Sequence, residues 1–451
     1  SEKIKNVFLS IVLFSLSVGI FVLGARGGLQ LKPIKTIDAA VWSNSENSSL
    51  VLNSPFCILH TLLDNELKKV NYFSENEIDS IYNCKHQFSG KIHNKNVVII
   101  ILESFSKEFV GYYNNGKGYT PFLDSLIPHS LVMENAYSNG IKSIEALPSI
   151  TASIPTLMND PFITSSYANN KYKSLANILK NEGYTSSFFH GGTKGTMGFY
   201  QFSKKAGFDN YFGMEEYRNM NDHDGSWGIY DEPFFEYFSE HLRKEKQPFI
   251  SSFFSLTSHP PYNIPENLEN KFPKGELQIH ESVGYTDYAL KQFFEKSKEE
   301  EWFKNTLFII TADHTSPESS NKKYNSKIGR YSIPIIYFMG DSSLKGLDSV
   351  ITQQIDILPT TLDILNYNKT FYSFGSSIYE NKNWAISYLS NQYIFINEDG
   401  FLLERNGVVN NFSDSKLKIK SEVKKEKIDL LHAIIQRYNN SLIENKMTNE
   451  N

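Results

Sequence analysis

Four apolar runs in this chain lead into residues that can bind a metal ion or move a proton. Asn96-Val97-Val98-Ile99-Ile100-Ile101-Leu102 is followed by Glu103, and Tyr184-Thr185-Ser186-Ser187-Phe188-Phe189 ends at His190. Phe249-Ile250-Ser251-Ser252-Phe253-Phe254 runs on to His259, and Thr306-Leu307-Phe308-Ile309-Ile310-Thr311-Ala312 ends at Asp313-His314. One such Glu alone would be read as a cap or a surface group. Repetition over four runs instead describes an acid-base or metal site assembled from strand ends. Asp313 and His314 together offer a hard carboxylate and a neutral imidazole to one ion, with Glu103 as a third ligand. The nucleophile candidate is Ser143 in Asn139-Gly140-Ile141-Lys142-Ser143-Ile144-Glu145. It follows a strand and a glycine turn and stands where a helix starts, so free N–H groups and the helix dipole favour a bound phosphate there. By itself Ser143 reads as an ordinary N-cap; between Glu103 and Asp313-His314 it reads as a nucleophile.

The elements that must position these groups follow from periodicity. Val97 to Leu102 is six consecutive apolar residues, five of them β-branched. That is short for a helix and fits a strand buried on both faces, as in a parallel sheet covered by helices. Ligands of open α/β sheets bind beyond the carboxyl ends of such strands. Strand and helix signals alternate from Asn96 onward, which gives an α/β fold with a predominantly parallel sheet sandwiched by helices. Expected helices include one capped by Thr120 before Pro121, one over Tyr172 to Glu182, and one from Asp231 to about Arg243 with Asp231 as N-cap. Tyr285 to Lys304 reads as a solvated surface helix, and Asp356 to Leu365 as another helix. Val132 to Tyr137 and the run Ile333 to Phe338 are further strands. Trp384 to Leu403 changes to short strands around an Asn397-Glu398-Asp399-Gly400 turn, a small antiparallel extension, and Lys416 to about Asn445 is a charged helix. The expected division is 1–90, anchor helix and linker arm; 91–370, catalytic domain; and 371–451, C-terminal extension.

A formal net charge of −5 and the lack of a basic cluster give no indication of a nucleic-acid partner. Cys57 and Cys84 have no metal-type spacing and are either free or paired. Val7 to Ala25 carries no charge and lies between Lys3, Lys5 and Arg26, a length that can span a bilayer. It lacks a small-x-small cleavage signal, so a retained anchor is the expectation, with a core helix or hairpin as the alternative. Because the chain opens on Ser, earlier membrane helices are a further expectation. Gly27-Gly28-Leu29-Gln30 and Pro33 then break any helix.

Glu103, the Gly140-Ile141-Lys142-Ser143 loop, Phe189-His190-Gly191-Gly192, Ser258-His259-Pro260-Pro261-Tyr262 and Ala312-Asp313-His314-Thr315 occur in this order. Together they resemble the lipoteichoic-acid-synthase/phosphoglycerol-transferase branch of the alkaline-phosphatase (sulfatase-like) superfamily over about residues 95–370. The resemblance implies an alkaline-phosphatase-like fold on a bacterial membrane with its catalytic domain outside the cytoplasm. It implies one divalent ion, Mn²⁺ before Mg²⁺ or Zn²⁺, on Glu103, Ser143, Asp313 and His314, with Ser143 also the nucleophile. His190 and His259 would line the substrate pocket, which Lys142 and Trp227 help to form; His259 is the candidate leaving-group acid. The implied partners are a membrane phospholipid donor of phosphoglycerol and a glycan or polymer acceptor. A phosphoethanolamine transferase, a phosphodiesterase and a non-catalytic binding domain are the alternatives. Two departures stand out: the synthases have threonine at the position of Ser143, and their arginine-bearing segment after the first pocket histidine is replaced by Thr193-Lys194-Gly195-Thr196-Met197-Gly198-Phe199. The Cys/Ser-x-Pro-x-Arg signal of formylglycine sulfatases is also lacking, since Ser143 is followed by Ile144-Glu145-Ala146-Leu147.

Overall fold

The structure is a computed structural model that describes residues 2–29, 33–43, 47–62 and 67–449; Gln30 of the expected glycine-rich break lies outside them. Its centre is an eight-stranded sheet built from β1 (Asn96–Leu102), β2 (Leu131–Tyr137), β3 (Thr185–His190), β4 (Asn210–Phe212), β5 (Phe249–Phe254), β6 (Thr306–Ala312), β7 (Ile335–Met339) and β8 (Gly346–Gln353). The spatial order is β4-β3-β5-β1-β6-β7-β2-β8. Only β7 runs against its neighbours, β6 and β2; every other pairing is parallel. The sheet is thus predominantly parallel, as periodicity predicts.

All seven residues of β1 are buried, and successive side chains of a strand face opposite ways, so both faces of the sheet are closed. Its helices include α2 (Ser143–Ala152), α3 (Leu175–Lys180), α4 (Asp231–Leu242), α5 (Ile279–Ser297) and α6 (Ile357–Ile364), after an N-terminal α1 (Glu2–Arg26). Phe235 of α4 stacks on Phe253 of β5 with centroids 3.8 Å apart, and Phe294 of α5 lies 5.0 Å from Phe308 of β6. Aromatic pairs thus fill part of the sheet–helix seam.

Helix expectations need correction at α4 and α5. α5 starts at Ile279, not Tyr285; Leu290, Phe293 and Phe294 are buried in the main core and Tyr285 is buried beside Tyr230 and Phe272, while its charged rim, including Lys291, Glu295 and Lys296, faces water. Asp231 is the first residue inside α4 and Tyr230 takes the N-cap position. The Asp231 carboxylate bonds instead to the chain leaving β5, so it was bound elsewhere in three dimensions, which local spacing does not reveal.

Downstream, β9 (Trp384–Tyr388), β10 (Tyr393–Asn397), β11 (Gly400–Arg405) and β12 (Val408–Phe412) form a separate antiparallel meander, followed by α7 (Lys425–Ile443). The expected charged helix from Lys416 begins later because Asp414 folds the preceding segment into a turn, accepting from Lys418 and Ile419 N–H. Upstream, Lys85–His86 pairs with Phe371–Tyr372, and Tyr82 and Cys84 belong to the main core. Cys57 and Cys84 are both free thiols, and burial pushes the Cys84 thiol up to about 11. Within helix α1 the stretch Ile4–Arg26 has a mean hydropathy of 2.6 and is not buried, so it is long and apolar enough to cross a membrane.

Candidate active site

The sheet register places the first two groups. Leu102 of β1 lies opposite Ala312 of β6, so the next residues, Glu103 and Asp313, leave the sheet side by side. On the other flank of β1, His190 at the end of β3 lies opposite Phe254 of β5. Ser143 arrives from β2 by a tight loop. Gly140 is required there, because a Cβ would come within 2.4 Å of Glu145 Oε2. That carboxylate accepts the Ile141 and Lys142 N–H groups and fixes the entry to α2. Lys142 occupies the N-cap position in extended backbone, and Ser143 is the first helical residue. The Ser143 hydroxyl is therefore not consumed by capping.

It points into the cluster instead. Ser143 Oγ donates to Glu103 Oε2 at 3.1 Å and lies 3.2 Å from His314 Nε2. His314 Nε2 is 3.2 Å from Asp313 Oδ2 and 3.8 Å from Glu103 Oε1. All four residues are buried. Around them, Ser104 N–H and His314 N–H both donate to Asp313 Oδ1, and Ser104 Oγ donates to Glu103 Oε1. Ser104 adopts a left-handed backbone, φ 57°, to do so; such a conformation in a non-glycine residue is costly and is held by its surroundings. Ser255 Oγ accepts the Glu103 N–H and Ser258 Oγ donates to the Glu103 carbonyl.

The donor set fits a divalent cation. Ligand atoms of Glu103, Asp313 and His314 lie within 4.8 Å of one another. Asp313 Oδ2 is buried and has no hydrogen-bond partner, an orphaned acceptor that a cation would satisfy. His314 Nδ1 donates to the Thr315 carbonyl at 2.7 Å, which leaves Nε2 bare toward the cluster, as in metal-binding histidines. Without a cation the charges conflict. Burial, then the neighbouring Glu103 charge, pushes Asp313 up to about 8. Burial also opposes ionisation of Glu103, but the His314 and His259 charges outweigh it and hold Glu103 below its usual range. His314 is drawn down by burial and raised more by Asp313 and Glu103, ending above its ordinary value.

The pocket histidines differ. His190 is buried, and burial lowers it to about 4, so its ring is neutral. Nδ1 faces the Phe254 carbonyl at 3.2 Å, so Nδ1 carries the proton and the buried, unpartnered Nε2 is an acceptor. Gly192 keeps space beside it: a Cβ there would approach Nε2 to 2.9 Å. His259 is partly exposed and donates through Nδ1 to the Pro260 carbonyl at 2.9 Å. Trp227 Nε1 donates to the same carbonyl, and its ring stands edge-on to His259 at 4.4 Å. Trp227 therefore reaches the site through His259, whereas the Lys142 side chain is exposed to solvent.

Sequence reasoning missed the groups that tie these parts together. Asn139 donates to Gln353 Oε1 and the Ile386 carbonyl and accepts from Ile355 N–H; Gln354 Nε2 donates to the Ala312 and Asp313 carbonyls. Asp231 accepts from Leu256 N–H, Thr257 N–H and Thr286 Oγ1 and holds the segment that carries His259. Only the position of Ser104, next to Glu103, offered a local signal.

With this geometry in place, the profile described as Sulfatase matches residues 95–367. The chain belongs to the sulfatase family. This sulfatase-family chain is 28% identical over 341 residues to lipoteichoic acid synthase 1 of Bacillus subtilis, covering 68% of the chain and 53% of that protein. It spans about half the length of the curated relatives it matches. Its fold is similar to that of an alkaline phosphatase superfamily protein from Vibrio parahaemolyticus (TM-score 0.72, 22% identity, covering 87% of this chain and 97% of that one). It is also similar to the lipoteichoic acid synthase LtaP from Listeria monocytogenes (TM-score 0.67, 18% identity, covering 84% and 100%). The alkaline-phosphatase-like fold is thereby shown, with a sulfatase-family domain of the kind found in lipoteichoic acid synthases.

Proposed function

We propose that this protein transfers a phospho-head group, phosphoglycerol, from a membrane phospholipid to a glycan or polymer acceptor through a covalent intermediate on Ser143. The observation that carries the reading is the uncapped Ser143 hydroxyl at the start of α2, between Glu103 and His314. Residues 1–90 would then anchor and lead in, 91–370 catalyse, and 371–451 extend the domain, with catalysis outside the cytoplasm of a bacterial cell.

A divalent ion, Mn²⁺ by preference, held by Glu103, Ser143, Asp313 and His314 would lower the pKa of the serine hydroxyl and neutralise phosphoryl charge. The Ser143 hydroxyl gives its proton to Glu103 Oε2, to which it already donates, as its oxygen attacks phosphorus in line with the diacylglycerol oxygen; the new Ser–O–P bond forms and the lipid ester bond breaks. His259, whose Nε2 is left free by the Nδ1 bond to Pro260, gives its proton to the departing alkoxide. In the second half an acceptor hydroxyl gives up its proton to His259 and takes the head group, the Ser–O–P bond breaks, and Glu103 returns its proton to the Ser143 oxygen. The N-terminus of α2 favours the phosphate charge throughout. His190 Nε2 is an acceptor for a head-group hydroxyl, Trp227 holds the His259 ring, and Lys142 supplies positive charge at the mouth.

One observation favours a second reading, transfer of phosphoethanolamine. A cavity of about 540 Å³ that includes Tyr262, three residues after His259, is lined by four carboxylates, Asp224, Glu266, Glu269 and Glu281, and by one cation, Lys274, which pairs with Glu281 at 3.6 Å. Such a wall suits a cationic head group. Supplying the protein with labelled phosphatidylglycerol and phosphatidylethanolamine separates the two. Faster diacylglycerol release from phosphatidylglycerol is expected; faster release from phosphatidylethanolamine would replace the first reading by the second, and release from neither would reject both.

A further inference from the structure

Between two points where the N-terminal arm is fastened to the domain lies a stretch in which, among the described residues from 47 to 62, no side chain is fully buried. Ile37, Ala39 and Ala40 are buried, and the Asp38 carboxylate accepts from Gln201, which fastens the first point. At the second, Leu67 N–H donates to Tyr167 Oη, and Tyr72 and Phe73 N–H both donate to Gln436 of α7. From Asn47 to Leu62 the sequence has no Asp, Glu, Lys or Arg. The helix Ser54–Thr61 has no buried residue, although Asn53 caps it by accepting from Phe56 N–H. Leu50, Ile58, Leu59 and Leu62 are 83%, 60%, 74% and 70% exposed. An uncharged, ordered segment with that much apolar surface calls for a covering partner.

We infer that residues 50–62 are an interfacial element seated in the bilayer surface, a second contact that fixes how the catalytic domain stands on the membrane. The inference rests on α1 being membrane-seated, and chain geometry selects lipid as the occupant. Ile34 N–H donates to the Arg26 carbonyl at 3.1 Å, so the chain folds back against the end of α1. Trp42 follows eight residues later and can lie no more than about 28 Å from that point even if fully extended. It is 79% exposed, as suits a ring at the headgroup level. The apolar segment begins just beyond it in the sequence and lies between the two fastened points. Its insertion would therefore orient the domain as well as add affinity.

The full chain in vesicles of phosphatidylglycerol and phosphatidylethanolamine with brominated acyl chains tests this. A fluorophore is placed by Leu59→Cys in a Cys57→Ser background; Cys84 is buried and its raised thiol pKa resists labelling. The control site is Lys298→Cys, on an exposed turn after α5. Quenching by the brominated chains at position 59 and none at 298 is expected. Equal quenching at the two positions, or crosslinking of 59 to 59 between copies in place of quenching, would overturn the inference. The triple variant Ile58→Glu, Leu59→Glu, Leu62→Glu should lose about tenfold in turnover of a vesicle-embedded donor through lost local concentration and orientation, while cleavage of a soluble short-chain phosphodiester is unchanged. Wild-type turnover of the embedded donor by that variant would also overturn it. A variant that loses both activities has lost its fold, and the quenching comparison then decides. A parent protein that cleaves neither substrate rejects the proposed function and leaves the quenching result standing.

Discussion

Ser143 has a hydroxyl that neither caps its helix nor faces solvent, and the account makes it do two jobs. Ser143→Ala should lower turnover by at least about a thousandfold, the scale of lost covalent catalysts, whereas Ser143→Thr should keep measurable turnover because the hydroxyl survives with one added methyl. Steady-state rates of the two variants beside the parent check this. The residues flagged at strand ends were legible because a buried strand writes itself as an apolar run, and the residue after it faces the site. Asp231 was misread as a cap because its partners, Leu256, Thr257 and Thr286, are distant in sequence. Its burial has a consequence for pH. Burial raises Asp231 from 3.8 to about 6, so the folded state holds the proton more tightly than the unfolded chain. The stability this contributes is fully present below about 4 and is lost as pH rises through about 6, roughly 3 kcal/mol in all. Urea unfolding of the parent and of Asp231→Asn between pH 4 and 7 should show the parent losing stability relative to the variant over that window; a constant difference would contradict it.

The loop before α2 is not held by its own helix alone. Ser387 Oγ of β9 donates to the Ser138 carbonyl, Asn139 reaches Ile386, and Gln353 joins Asn139 to Trp384 and Ile386. The C-terminal meander thus braces the turn that presents Ser143, and Gln354 extends the brace to the Asp313 backbone. The turn residues Asn397 to Gly400 made the meander readable in the sequence, but its purpose was not, because backbone-to-side-chain bonds between segments more than two hundred residues apart leave no periodic trace. Asn139→Ala should shift Ser143 by a fraction of an ångström to about one ångström and cost about a hundredfold in kcat. Metal affinity measured by titration should change far less. Equal losses in both would point to general unfolding of the site.

For the molecule as a whole, one cation should link folding to activity. Elemental analysis is expected to find one divalent ion per chain, and chelation should abolish turnover, with Mn²⁺ restoring it best; two stoichiometric ions would contradict a single site. Because an ion held by the folded site alone stabilises it by mass action, metal at about a hundred times its Kd should add about 2.7 kcal/mol of stability, read as a raised unfolding midpoint. The membrane arrangement makes its own prediction: protease added outside intact spheroplasts should release the domain, and protection would place it on the wrong side for a lipid donor in the outer leaflet.

The most direct test is peptide mass spectrometry across Ser143 after the protein has been mixed with its lipid donor and quenched during turnover. The expected result is an unmodified serine before mixing and a phosphoglycerol adduct on that residue afterwards. An aldehyde at position 143, or turnover with the adduct on another residue, would contradict a serine that acts through its own oxygen.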